Sequence, residues 1–354
     1  WTFQSGSPSS GTNQFESVTW SAPGTYNVSL TVTHVTGCNS TTTQTITIED
    51  TERCCNENFS WNIPTYTALP ITDTWNSGTN PFGTSSDVYI KDALIIPPNS
   101  HITINNMTFH FGLSGRVIIK KAGSLTLNGT TLTGNDICQT MWIGVTVEGD
   151  VANPTFSAQG QFWLNPSGTI QSKIEHAMVS VLNWNAFTSD YSTTGGYFNL
   201  NDALITNCYM GINKFRQDNT NNLCAVNQCT FTGSNSLWYP YIGSRTHTFV
   251  YLESNFNSSV QFLASNHLNN ADHGITAYDS RFDINGAFFI IFNKGIESNK
   301  IDAGFVSNHS FTSNYFQTFT TAIQINGGMY DIIVDNNFNI GSPLNSQLTN
   351  FEGI

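Results

Sequence analysis

Hydrophobic and polar residues alternate along the first fifty positions. Tyr26, Val28, Leu30 and Val32 fall at period two, as do Ile46 and Ile48, and that period sends successive side chains to opposite faces of a strand. Between them, Thr36-Gly37-Cys38-Asn39-Ser40 reads as a hairpin connection. The segment predicts two antiparallel strands with a Thr- and Ser-rich outer face. Residues 51–85 lose the alternation and are punctuated by Cys54-Cys55, Pro64, Pro70, Gly78, Pro81 and Gly83. They read as a linker and a cap, which a following solenoid needs to cover its first unpaired edge.

From residue 86 the rhythm changes. Short β-type runs recur, among them Val88-Tyr89-Ile90, His101-Ile102-Thr103-Ile104, Val117-Ile118-Ile119 and Leu125-Thr126-Leu127, with Gly or Asn turns between. A looser phrase repeats further on: Asn207-Cys208-Tyr209-Met210-Gly211-Ile212, Gln228-Cys229-Thr230-Phe231, Ser254-Asn255-Phe256, Ser280-Arg281-Phe282, Ser313-Asn314-Tyr315-Phe316 and Asn336-Asn337-Phe338. Its spacing of roughly 22 to 34 residues is that of a solenoid. Each phrase sets an aromatic or Cys inward beside a turn residue, and Asn suits such a corner because it tolerates the left-handed backbone region. Phe231, Phe256, Phe282 and Phe338 are expected to point inward and stack. Cys208 and Cys229 are expected in adjacent rungs, as a thiol ladder or a disulfide.

Composition narrows the class. Charged residues make up only 10% of the 354, against roughly 25% in ordinary soluble domains, while aromatics reach 13%. Core material is ample, and no run of about 18 apolar residues offers a membrane span. The net charge of −12 and the lack of any Lys/Arg cluster speak against nucleic acid as a partner. The same acidity disfavours anionic polysaccharides and leaves neutral glycans open. Seven cysteines form no CxxC pair, which excludes a zinc-ribbon or thioredoxin-type site. No metal or cofactor is expected. The chain opens at Trp1 and closes at Ile354 in what reads as an unfinished repeat, so it is expected to be a piece of a longer precursor.

Ala22-Pro23-Gly24-Thr25-Tyr26-Asn27-Val28-Ser29-Leu30-Thr31-Val32-Thr33 resembles the PGTYTVTLTVT signature of PKD domains. Trp1-Thr2-Phe3-Gln4-Ser5-Gly6 resembles that family's W-x-F-G-D-G segment, with Gln4 and Ser5 in place of Gly and Asp. Gly123-Ser124-Leu125-Thr126-Leu127 followed by Trp142-Ile143-Gly144-Val145-Thr146-Val147 resembles large exported β-helix proteins of bacteria that use the type IX secretion route. Together these imply an all-β chain. Residues 1–50 would be the C-terminal part of a PKD-like β-sandwich, 51–85 a linker and cap, and 86–354 a right-handed parallel β-helix continuing beyond the segment. They also imply a secreted or bacterial cell-surface location and contact with secretion machinery during export.

The leading functional expectation is a structural or adhesive module. The alternative is a carbohydrate-active β-helix enzyme, a polysaccharide lyase or glycoside hydrolase, or a glycan-binding module. The signatures N-T-D, D-D, G-H-G and R-I-K of pectin-cleaving enzymes are missing, and carboxylate density on one face across consecutive rungs is the discriminator. The nearest approach to a catalytic set is Asp272-His273 with Asp279, Arg281 and Asp283, the last three expected on one outer face; a solvated face is the plainer reading. For ligand binding, Trp238, Tyr239 and Tyr241 around Pro240 offer rings to sugar faces. Trp142 and Trp163 are assigned to core or cap. Asp335-Asn336-Asn337 and Asn219-Thr220-Asn221-Asn222 read as corner turns before calcium ligands.

Overall fold

The computed structural model describes residues 1–22, 24–48, 72–90, 92–136, 138–186, 188–216, 224–255, 259–302, 309–326, 332–334 and 336–338. Cys54, Cys55, Asn219–Asn222, Phe256 and Asp335, named above, lie outside them. The chain divides into two units, Trp1–Asn58 and Phe59–Ile354. Among the described residues no helix is long and apolar enough to cross a membrane.

The first unit is a three-stranded antiparallel sheet. Gly24–Thr33 pairs along its whole length with Asn39–Ile48, and Thr2–Phe3 adds to its other edge. The predicted hairpin is there, closed by His34 accepting from Gly37 and donating to Cys38. Thr and Ser line one face as cross-strand hydroxyl pairs, Ser29 with Thr43 and Thr31 with Thr41, each at 2.8 Å. Phe3 is buried under Trp1 and Trp20, and Trp20 stacks on Tyr26 at 5.7 Å. The Tyr26 hydroxyl donates to Ala22 O at 2.6 Å, which ties the strand to the turn before it.

The second unit is a parallel β-helix. Every pairing between its named strands is parallel, and each strand pairs with its counterpart one coil earlier and later. Three faces result. Face A is a ten-stranded sheet running from Thr72–Trp75 to Ile332–Val334, and its strands number the rungs one to ten. Face B begins at Asp87–Ile90 and face C at Ala93–Ile96. From rung seven the two merge, because the strand His267–Tyr278 runs through the B–C corner without a break. The coil begins earlier than residue 86: Thr72–Trp75 already pairs with His101–Asn105, and Trp75 meets Phe82, which meets Phe109, inside the first rungs.

Period two along each strand explains the core. In His101–Asn105, Ile102 and Ile104 are buried between outward His101, Thr103 and Asn105, and the next coils repeat this with Leu125 and Leu127, then Phe162 and Leu164. Aligned apolar columns remove their area from water at roughly 25 cal/mol per Å². Outside, the polar residues form ladders of their own: Asn128 donates to Asn105 at 2.9 Å, and Asn227 to Asn201 at 2.7 Å.

The repeated phrase is corner chemistry. A residue with positive φ turns the chain and the next one goes inside: Asn207 then Cys208 at the B–C corner, Gln228 then Cys229 at A–B, Ser254 then Asn255 at C–A, and Ser313 then Asn314 at A–B. Asn207 takes the left-handed place as expected of Asn; at two later corners that place falls to Ser254 and Ser313, and the Asn behind it is buried. Its amide replaces the missing strand pairing: Asn266 Oδ1 accepts from Cys229 N, Asn314 Oδ1 from Ala287 N and Asn336 Oδ1 from Asn314 N, each at 2.9 Å. A buried N–H left unpaired would cost about 1–3 kcal/mol.

Because the phrase serves three different corners, its members do not share one column. Phe231 and Phe282 both point inward but lie on faces B and A; Phe282 meets His309 at 4.3 Å, while the stacked pair on face B is Phe289 with Phe316 at 4.7 Å. Phe338 continues that face-B register from Phe316, and its side chain lies outside what is described. Cys208 and Cys229 likewise occupy different corners, so they do not stack; both are free thiols, as are Cys38, Cys138 and Cys224. At the B–C corner, a Cβ on Gly144 or Gly274 would strike the carbonyl of Val179 or Gly295 in the adjoining rung. Only glycine lets the coils approach that closely there.

Candidate ligand-binding ridge

Two loops leave the coil at the B–C corner and lie against it. One, residues 135–143, follows the face-B strand Thr131–Gly134; the other, 233–247, follows Thr230–Thr232. They hold each other through a parallel bridge of Thr140 with Tyr239. Tyr239 N donates to Gln139 O at 3.1 Å, and Met141 N donates to Tyr239 O at 2.9 Å. Met141 and Leu237 are buried beneath them. The loop 233–247 sets two rings flat on the corner: Trp238 on His176, centroids 3.4 Å apart and 3° from parallel, and Tyr241 on Tyr209, 4.0 Å and 2°.

The stacking continues along the coil axis. Tyr209, His247 and His273 stand on successive rungs, with centroids 5.6 Å apart at each step. One rung further, Glu297 Oε2 lies 3.5 Å from His273 Nδ1 and Glu297 Oε1 lies 2.7 Å from Lys294 Nζ. Asp272 lies beside this line, 3.6 Å from Arg245 Nη1 and accepting from Asn293 at 3.1 Å. In the opposite direction the ridge reaches an acidic end. His110 on rung two stacks on Tyr89 of rung one at 4.5 Å and 11°. Asp87 Oδ1 lies 3.5 Å from its Nε2 and Asp136 Oδ1 3.6 Å from its Nδ1. Glu175, next to His176, pairs with Lys173 at 2.9 Å.

Burial sets the protonation along this line. It lowers His176 to about 4 despite the opposing pull of Glu175, so this imidazole is neutral near pH 7. It lowers His273 as well, against Glu297. Tyr89 is raised by burial and then by Asp136 and Asp87, which places both carboxylates in its field. Among the described residues, no three His, Cys, Asp or Glu side chains are grouped to hold a metal ion.

The sequence candidates meet different ends. Asp272 and His273 join Trp238, Tyr239 and Tyr241 on one ridge, a link the sequence does not display. Trp238 and Tyr241 each use one ring face on the coil, and Tyr239 is half exposed. Asp279, Arg281 and Asp283 separate from them. Arg281 and Asp283 do share the outer side of face A around buried Phe282. Asp279 does not: it is the left-handed residue at the C–A corner and is buried, its carboxylate accepting from Ile301 N at 2.7 Å and Asp302 N at 3.1 Å. That is a backbone-holding role. Trp142 is in the core, stacked on Phe111 at 4.4 Å. Trp163 is in neither core nor cap: period two turns it outward on face A, where Phe156 and Tyr197 pack around it.

The acidic end escaped the sequence reading. Tyr89 and His110 sit in register only because Val88 and Phe109 stack inside, so coil register was the available signal. Asp136 comes from a loop, and no periodicity points to it.

No family model matches the chain, and no curated protein matches it. The PKD and type IX resemblances therefore stand on their residue patterns alone. Among solved structures, a double mutant of the periplasmic alginate epimerase AlgG is similar over 72% of this chain and 79% of its own, at 8% identity and a TM-score of 0.32. That likeness is too distant to carry any argument about activity.

Proposed function

We propose that this chain is a structural and adhesive module of an exported surface protein, and that the B–C ridge of its β-helix binds a glycan. The observation that carries the reading is a group of rings on a rigid scaffold: Trp238 and Tyr241 lie flat on His176 and Tyr209, and His247 and His273 follow Tyr209 on successive rungs. Successive rungs are separated by about 4.8 Å, close to the length of one pyranose ring. Rings fixed by packing also lose little freedom when a ligand arrives. Asp, Arg, Asn and Lys side chains beside them supply the polar contacts that sugar hydroxyls require. The PKD-like hairpin fits a spacer and type IX export fits the surface location, both on residue resemblance.

A glycan array with the intact chain and a Trp238→Ala/Tyr241→Ala double variant tests this. The reading expects oligosaccharide binding that the variant loses by tenfold or more. Unchanged binding in a folded variant would remove the ridge from the account.

A further inference from the structure

The two ends of the ridge differ in charge. At the His273 end each carboxylate has a cationic neighbour: Asp272 has Arg245 and Glu297 has Lys294. At the Tyr89 end, Glu175 has Lys173, but among the described residues neither Asp87 nor Asp136 ion-pairs with a Lys or Arg. Both lean on His110 at distances beyond a hydrogen bond, and both side chains are about 60% exposed (59% and 60%). Their oxygens keep acceptor capacity toward solvent. Between them, His110 is nearly enclosed, and its Nδ1 is buried with no hydrogen-bond partner. Tyr89 stacks on this imidazole, and Trp238 stacks on His176 two rungs along. His176 adds no positive charge near neutral pH, because burial holds it deprotonated.

Exposed carboxylates beside fixed aromatic rings are the chemistry that holds an ammonium group: the carboxylates pair with it and the ring quadrupoles attract it. We infer that the Asp87–Asp136 end of the ridge selects a glycan carrying free primary ammonium groups, that is, a hexosamine chain without its N-acetyl groups. This rests on the glycan reading above and narrows it. A glycan chain anchored on Trp238 runs toward rung one, and the ammonium groups of its successive units meet Asp136 and then Asp87 beside Tyr89. An acetylated amine has no charge to offer these groups, and a uronic acid is repelled by them. A flexible lysine peptide brings the charge without the flat ring.

The test is isothermal titration of the whole chain with glucosamine oligomers and with N-acetylglucosamine oligomers of equal length. The wild type should prefer the glucosamine series by about tenfold at low salt, and less as salt screens the pairs. Asp87→Asn/Asp136→Asn should abolish the preference and retain binding to the acetylated series; both positions are exposed, so folding is spared. Trp238→Ala should weaken both series. Equal binding of the two series by the wild type would overturn this inference and leave the glycan reading standing. Competition by a lysine oligomer as effective as by glucosamine oligomers would overturn it in favour of a peptide partner. Binding of neither sugar series would overturn both.

Discussion

The interior of the β-helix and the ridge on its B–C corner use one device, a side chain per rung aligned with its neighbours, and put it to opposite ends. Inside, Ile102, Leu125 and Phe162 are aligned and removed from water. On the ridge, Tyr209, His247 and His273 follow one another more loosely: His273 is in register with Thr248, its ring is tilted 58° from that of His247, and His247 stays exposed while His273 is half-buried. A row that water can reach gains little stability from its rings, and where they stack on one another it leaves their edges open to solvent. The interior columns hold the fold, and the ridge is the part of the repeat free to recognise something.

Substitutions should separate the two columns by magnitude. The largest effect is expected inside. Phe282→Ala removes a fully buried ring that packs on His309 and Phe311, and should cost about 3–5 kcal/mol in chemical denaturation. A loss below 1 kcal/mol would mean the interior is not close-packed there.

Next comes the one lysine that lies inside among the described residues. Lys214 is fully buried, with Nζ 3.0 Å from Asn255 Oδ1, and burial lowers it from 10.5 to about 8. The unfolded chain holds this proton more tightly, so below pH 8 the lysine penalises the folded state. The penalty fades as pH rises from 8 toward 10.5, where both states are neutral. By linkage its full size is about 3 kcal/mol. The stability difference between Lys214→Met and the wild type should shift in the wild type's favour by most of that amount between pH 7 and pH 10.5. Comparing the two proteins cancels the opposite trend from the buried thiols Cys208 and Cys229, which burial raises to about 11 and about 12. A pH-independent difference would show that the lysine titrates normally.

The smallest stability effect belongs to the ridge. Trp238→Ala removes one stacked pair and should cost about 0.5–1.5 kcal/mol, well below the Phe282 loss. A cooperative collapse of the fold would make Trp238 a core residue in all but position.

Much of the fold could be read from residue pattern, because period two and recurrent turns are local signals. The parallel β-helix and the N-terminal hairpin follow from them. What the pattern hides is which corner a phrase belongs to. Ser280-Arg281-Phe282 and Gln228-Cys229-Thr230-Phe231 look alike, but their Phe residues face different sheets, since insertions such as 135–143 and 233–247 shift the coil count. The same insertions hide the ridge. Trp238 and Tyr241 stood out as a ring-rich loop, and Asp272-His273 as a polar pair, but their union depends on where that loop lies. Asp136 and His110 meet only in the folded coil.

The most direct test of the account is affinity against oligosaccharide length. A ligand lying along the axis from Trp238 to His273 passes the rungs of His176, Tyr209, His247 and His273, so affinity should climb with each added sugar over about four or five units and then level off. In Trp238→Ala/Tyr241→Ala the climb should be shorter and shallower. An affinity already at its plateau with a disaccharide would contradict the account, because it would place the ligand across the ridge or away from it.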